Sequence, residues 1–258
     1  MKKISFEHGI STREASNWND FSLFVNQYSV FNHFVLRGQA DSTWLLEPTL
    51  DRSFKDTKTP IGTRERLTVS HLEKFKYATR GRRGLNPSEI KTENDWWALG
   101  QHYGLNTPLL DWTNSPFVAA YFSMITKQNS ASGFRVVFGI SQLSVKDMSN
   151  EISKKTIKKE RPPIIDFVNP LTDENNRLVN QMGLFTRTPI GIDIESWYKQ
   201  NFPEKGEFVR MWKILIPEKE RTKALRSLNR MNINHSTLFP DLYGASKFVN
   251  TNLEIDKY

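Results

Sequence analysis

A chain of 258 residues, 38% of them hydrophobic and 25% charged, has the composition of a globular protein and enough apolar surface for one large domain or two small ones. It contains no cysteine, which excludes a disulfide framework, a thiolate nucleophile and a cysteine-ligated metal. The net charge of +8 suits a polyanionic partner such as DNA or RNA, or else a generally basic surface. The start, Met1-Lys2-Lys3, has the lysines of a signal peptide without an apolar core behind them, and no window reaches the length of a membrane span. The expectation is a cytoplasmic protein that makes no use of a membrane.

In chain order, residues 11–28 read as a helix. Ser11 and Glu14 have capping-box spacing, and Trp18, Phe21, Val25 and Tyr28 recur on one face. Asn32 to Arg37 reads as a strand, with Phe34 and Leu36 alternating against His33, Val35 and Arg37, and Gly38 ends it. Residues 42–54 read as a loop carrying Trp44, Leu46 and Pro48. A helix follows from about Thr63 to Thr79, burying Leu67, His71, Phe75 and Ala78. Arg80 to Pro87 is a basic, glycine-containing linker, and Trp96, Trp97 and Leu99 mark a short helix ending near Tyr103-Gly104.

Leu109 to Trp112 is a short apolar run. Ser115-Pro116 opens a helix, with serine capping and proline at the first helical position, and Ala119, Ala120, Phe122 and Met124 continue it. Phe134–Ile140 reads as a strand, residues 148–163 as an exposed lysine-rich helix or loop, and Ile164–Val168 as a strand. Glu174–Met182 reads as a short helix, Leu184–Thr186 as strand-like and Phe208–Ile216 as a strand. Helices begin at Pro217, running to about Arg230, and at Pro240. Irregular alternation with short strands predicts an α+β fold with a mixed, mostly antiparallel central sheet flanked by helices. Residues 1–29 form an N-terminal helical segment of it, and residues 30–250 the main body of a single compact domain.

Positive charge clusters at Arg80, Arg82 and Arg83, at Lys154, Lys155, Lys158, Lys159 and Arg161, and between Arg221 and Arg230. Phosphate-loop, dinucleotide, zinc-protease and nucleophile-elbow motifs are absent, and the histidines are scattered singly, so no metal site is expected. Two stretches are dense in chemistry. The first is Leu36-Arg37-Gly38-Gln39, where an arginine ending an apolar strand can take a bidentate anion, or else pair internally with a carboxylate such as Asp111. Gly38 allows close approach of a ligand or of a neighbouring backbone. The second runs from Gln101 to Ser123 and sets Gln101, His102, Tyr103, Asp111, Trp112, Thr113 and Ser115 among aromatic residues before a helix start, as a small-molecule pocket requires. Its plainer reading has Asp111 and Ser115 capping local turns.

These motifs resemble those of the FRG-domain family: Arg37-Gly38-Gln39, the run Gln101 to Phe122, the element Arg177-x-x-x-Gln181-x-Gly183-x-Phe185, and Leu238-Phe239-Pro240-Asp241-Leu242. The resemblance spans most of residues 30–248. Departures are Leu36 for phenylalanine, Asn106 for proline and Pro108 for arginine. More weakly, Arg37-Gly38 and Thr113-Asn114-Ser115 followed by Ala119-Ala120-Tyr121-Phe122 look like the first two elements of ADP-ribosyltransferases of the Arg…Ser-Thr-Ser…Glu kind. That similarity implies NAD as a substrate. Arg37 would bind its pyrophosphate, with Gly38 and Gln39 beside it. Thr113 or Ser115 would bond the ribose, and Tyr103 or Trp112 would stack on nicotinamide near His102. Gln181 stands where the catalytic Glu would align, so Asp111 becomes the carboxylate candidate, with Glu73 and Glu174 outsiders. The acceptor would be nucleic acid or protein. The alternatives are a non-enzymatic nucleic-acid-binding or interaction module and, third, a nuclease.

Overall fold

The computed structural model describes residues 1–27, 33–87, 89–156, 161–170 and 176–258. Tyr28, Asn32, Lys158, Lys159 and Glu174, each named above, lie outside them. The architecture is α+β, as expected: the described residues form eight strands in one sheet of order β1-β2-β8-β5-β3-β4-β7-β6, with helices on both faces. The strands are β1 (Lys2–Glu7), β2 (Ile10–Glu14), β3 (Phe34–Gln39), β4 (Leu109–Thr113), β5 (Phe134–Ser141), β6 (Asp166–Val168), β7 (Gly183–Arg187) and β8 (Met211–Pro217). Every neighbouring pair is antiparallel except β2 with β8.

The N-terminal segment departs from the predicted helix. Residues 2–14 form a hairpin, and β2 joins β8 in parallel from Ile10 opposite Met211 to Glu14 opposite Leu215. Ser11 and Glu14 therefore lie in a strand. Helix α1 (Trp18–Gln27) starts later, where the Asn17 side chain accepts from the Asp20 amide at 3.0 Å. Its predicted face holds, since Trp18, Phe21 and Val25 are buried. Full burial of a side chain such as Phe21 stabilises by about 2–3 kcal/mol.

Within residues 42–54, expected to be loop, α2 (Thr49–Asp56) begins, and it buries Leu50 and Phe54. Helix α3 (Ile61–Ala78) buries Thr68 and Leu72, with Leu67 and Phe75 partly covered and Ala78 exposed, so its buried stripe is turned from the expected one. Helix α4 (Glu93–His102) and α5 (Pro116–Met124) lie where predicted. Helix α6 (Gln142–Lys155) begins before the lysine-rich stretch, α7 (Asn176–Asn180) is one turn, and α8 (Ile194–Asn201) was not predicted. The helix expected from Pro217 opens with a 3-10 turn, Glu218–Glu220, before α9 (Arg221–Arg230). A short α10 (His235–Leu238) precedes α11 (Leu242–Glu254), whose N-cap Asp241 accepts from the Gly244 amide.

The core divides by sheet face. Phe34 and Leu36 of β3 join α1, α5 and α9 in one cluster, while Val35 joins Leu110, Trp112 and the α8 residues Trp197 and Tyr198 in another. Helix α5 sits unusually close to β3. A Cβ at Gly38 would lie 1.8 Å from the Ala119 carbonyl oxygen and 2.6 Å from the Ser123 nitrogen. Between β3 and β4 the ladder is reduced to a single position, Leu36 opposite Thr113, although β3 pairs with β5 at six positions. The sheet opens beyond that point, and the cleft lies there. Among the described residues, no helix is long and apolar enough to cross a membrane.

Candidate functional site

A cleft of about 710 Å3 opens at the β3–β4 seam. That volume falls within the roughly 300–1,000 Å3 typical of small-molecule sites. Strand β3 supplies Arg37, Gly38 and Gln39, and β4 supplies Asp111, Trp112 and Thr113. The loop before α2 adds Trp44, Leu45 and Glu47, α2 adds Arg52, and α4 adds Gln101 and His102. Helix α7 and the turn after it bring Arg177 and Gln181, and Phe239 closes the apolar side with Phe122 of α5.

Arg37 is the central cation. Its side chain is 19% exposed, and its Nη1 donates to the Asp111 carbonyl at 2.9 Å and lies 3.5 Å from the Asp111 carboxylate. The internal pairing considered in the sequence is therefore present, but it engages one end of the guanidinium. Arg37 Nε is buried without a hydrogen-bond partner. Burial pulls the Arg37 guanidinium down from its ordinary value, Asp111 pulls it up and neighbouring Arg52 pulls it down again. It stays cationic at neutral pH. Gln39 is 5% exposed, its amide donates to the Leu45 carbonyl at 3.3 Å, and its Oε1 is buried with no partner. A buried donor and a buried acceptor left unmet on one strand each cost about 1–3 kcal/mol unless something bonds them.

Asp111 is 62% exposed, and Gln101 Nε2 donates to its Oδ1 at 2.8 Å. Gln101 is itself oriented by the Thr107 hydroxyl. Glu47, buried, pairs with Lys55, and its carbonyl accepts from Arg52 Nη1 at 3.0 Å. Arg177 Nε donates to Asp241 at 2.9 Å, and the guanidinium lies 5.4 Å from the Phe239 ring centre and 5.8 Å from that of Tyr243.

Other predicted site residues have local duties. The Thr113 hydroxyl donates to the Gln181 carbonyl at 2.6 Å and accepts from the Ser115 amide at 3.0 Å. Ser115 caps α5 by accepting from Val118, and it is not among the cleft-lining residues. The Trp112 indole, at the cleft floor, donates to Thr186 at 2.8 Å. Gln181 Nε2 donates to the Leu238 carbonyl at 3.1 Å. Gly38 lines the cleft, but the missing Cβ is required by the α5 backbone behind it. His102 lines the cleft and meets Tyr103 edge-on at 4.7 Å. Tyr103 is 71% exposed and is not among the lining residues, so it does not share the cleft with Arg37, Thr113 and Gln181.

Sequence reasoning passed over Glu47, Arg52, Trp44 and Phe239 as site residues. Phe239 stands in a motif that could have flagged it, as does Arg177, which the motif named without assigning it to the site. Nothing local distinguishes Glu47 or Arg52, because residues 42–54 read as loop and the α2 helix that fixes their place was not legible. Among the described residues no group of three or more His, Asp or Glu is placed to hold a metal ion.

Comparison of the chain with curated proteins and with solved structures returned no match. Residues 32–132 do match the family model described as FRG domain, a stretch that holds Arg37-Gly38-Gln39, the run from Gln101 to Phe122 and most of the cleft wall, so the resemblance to the FRG-domain family read in the sequence is supported over that stretch.

Proposed function

We propose that the cleft binds NAD and that the chain transfers its ADP-ribose unit to a nucleic-acid or protein acceptor. The observation that carries this reading is the arginine-lined cleft in which Arg37 Nε and Gln39 Oε1 are buried without partners, beside the exposed carboxylate of Asp111. Arg37 and Arg52 give the β3–β4 seam the charge and donor geometry that a pyrophosphate takes. Phe122, Phe185 and Phe239 offer apolar and aromatic walls for ring systems.

NAD supplies a nicotinamide–ribose bond whose cleavage leaves positive charge on the sugar while nicotinamide departs with the bonding electrons. The chain's part is to hold that charge and move one proton. Asp111, oriented by Gln101, faces the cleft as the carboxylate that stabilises the cation-like sugar and accepts the proton as the acceptor's oxygen or nitrogen bonds to the sugar carbon. Gln181, fixed to the Leu238 carbonyl, is a neutral orienting group in this scheme. Thr113 acts by bracing the Gln181 backbone.

The test is incubation with NAD labelled in its adenylate half, together with DNA, RNA or cell lysate. Label transfer with release of nicotinamide is expected. Arg37→Ala should abolish it, and Asp111→Asn should reduce it by roughly 100-fold or more. Millimolar NAD should raise the thermal midpoint of the wild type. Indifference of that midpoint to NAD would sink the proposal. The exposed basic surface also supports a second reading, a nucleic-acid-binding module without chemistry. That module would shift a DNA or RNA probe in a salt-sensitive way and transfer no label.

A further inference from the structure

The three basic clusters of the sequence have different fates in the fold. On α9, Arg221 donates to the Met124 carbonyl and pairs with Glu254 at 2.7 Å, while Arg226 donates to the Asp256 carbonyl. Arg161 is held by Glu93 at 3.0 Å. The end of α3 and the loop after it differ. Between Lys74 and Lys91 six residues are basic, Lys74, Lys76, Arg80, Arg82, Arg83 and Lys91, and one, Glu89, is acidic. Acids flanking the stretch are already engaged: Glu73 pairs with Lys76, Glu93 with Arg161 and Arg187, and Asp95 with the Thr92 hydroxyl. Arg80 and Arg82 are exposed and form no ion pair among the described residues.

Aromatic rings are interleaved with this charge. Tyr77 is 67% exposed with the Arg80 guanidinium 4.5 Å from its ring centre. Trp96 lies between Lys76 at 6.0 Å and Arg83 at 5.5 Å. Gly81 and Gly84 both have positive φ, so the loop turns sharply twice and spreads its arginines instead of stacking them on a helix. The surface also adjoins the cleft. Gly100 of α4 meets the Phe75 ring of α3, and one turn further Tyr103 stands exposed beside His102, a cleft-lining residue.

We propose that Lys74–Lys91 is a docking surface for single-stranded nucleic acid, leading a strand past Tyr103 to the mouth of the cleft. Arginines on a turned loop take successive phosphates, and exposed tyrosine faces stack on bases, which a single strand presents and a duplex does not. The docking itself needs no NAD. That the docked strand is the acceptor rests on the transferase reading above.

The test is fluorescence anisotropy of a labelled 20-mer of oligo-dT or oligo-rU across a salt series. Binding is expected for the single strands, with affinity falling as salt rises. The triple variant Arg80→Ala/Arg82→Ala/Arg83→Ala should weaken it by roughly 100-fold at low salt and flatten the log–log salt slope by about 2, from about 0.7 per lost contact. Tyr77→Ala should weaken it about tenfold with the slope unchanged, and Tyr77→Phe should restore it. A control triple on α9, Lys223→Ala/Arg226→Ala/Arg230→Ala, should stay within about twofold of wild type. All binding is read without NAD, so failure of the NAD chemistry leaves this result standing. The inference is overturned if no single strand binds, or if the α9 control loses as much as the loop variant. It is also overturned if Tyr77→Ala is silent, or if the duplex or vesicles of phosphatidylcholine and phosphatidylserine at 7:3 bind as tightly as the single strand.

Discussion

Replacing Gly38 by alanine adds one methyl group where strand β3 lies closely against helix α5. The added Cβ would lie 1.8 Å from the Ala119 carbonyl oxygen, 2.6 Å from the Ser123 nitrogen and 2.9 Å from the Ala119 carbonyl carbon. Real contacts of that kind begin above 3 Å, and the obstructing atoms belong to a helical backbone, so no side chain can swing away. Helix α5 must move off β3 by more than an ångström. Overpacking of a core by a methylene costs about 1–3 kcal/mol when side chains can adjust, and the upper end or beyond is expected here. At about 2–4 °C per kcal/mol for a chain of this size, a loss of about 3 kcal/mol lowers the thermal midpoint by roughly 6–12 °C. The assay is thermal and urea unfolding followed by circular dichroism. Gly62→Ala, at a helical glycine with nothing within 4 Å, is the comparison and should be neutral or slightly stabilising. Because Gly38 lies between Arg37 and Gln39, the variant should also weaken NAD binding more than its stability loss explains. A Gly38→Ala protein within 1 kcal/mol of wild type would refute the close approach of α5 as the reason for glycine.

Three further outcomes follow from particular contacts. Thr186→Val should cost about 1–3 kcal/mol in urea unfolding, because it strands the buried Trp112 indole N–H that the hydroxyl accepts. Glu218→Gln should cost about 3 kcal/mol or more, since Arg135 is fully buried and its guanidinium is gripped at 2.7 and 2.9 Å by that carboxylate. Asp41 accepts from Thr43, Ser130 and Ser132, and these bonds hold its carboxyl far below the usual carboxylate range against the opposing effect of burial. A folded pKa below the unfolded value gives stability that is complete above about pH 4 and lost as pH falls further. Asp41→Asn should therefore lower the urea midpoint at pH 7 and leave a shallower acid limb below pH 4. Parallel acid limbs for the two proteins would show that Asp41 is not responsible.

The parts of this fold that depend on local pattern were legible in the sequence. Helix α5 could be placed to the residue from Ser115-Pro116, and strand β5 from its apolar run. The errors come from contacts far apart along the chain. Ser11 and Glu14 carry a helix-start signal, yet residues 10–14 pair with 211–215, and no local signal encodes a partner about 200 residues away. Helix α2 follows Pro48 and is only eight residues long, too short for its periodicity to separate it from a loop. The site was half legible for the same reason. Arg37, Asp111 and Gln181 stand in motifs and line one cleft, whereas Glu47 and Arg52 reach it only because α2 packs against α4 and the β4, β6 and β7 strands. Tyr103, read as a ring for nicotinamide because of its neighbours in sequence, faces outward one residue after His102 faces in.

The single bridge between β3 and β4 has a consequence for how the molecule opens. Five strands lie on one side of that seam and three on the other, and within each set long ladders tie the backbone together. Amide hydrogens of the two sets are protected by separate networks of bonds. Exchange with deuterated solvent should then divide along the cleft, with β4, β7 and β6 releasing protection as one unit and the five-strand leaf as another. A ligand spanning Arg37 and Asp111 would add the cross-strand ties that the backbone lacks there, and it should merge the two exchange classes into one.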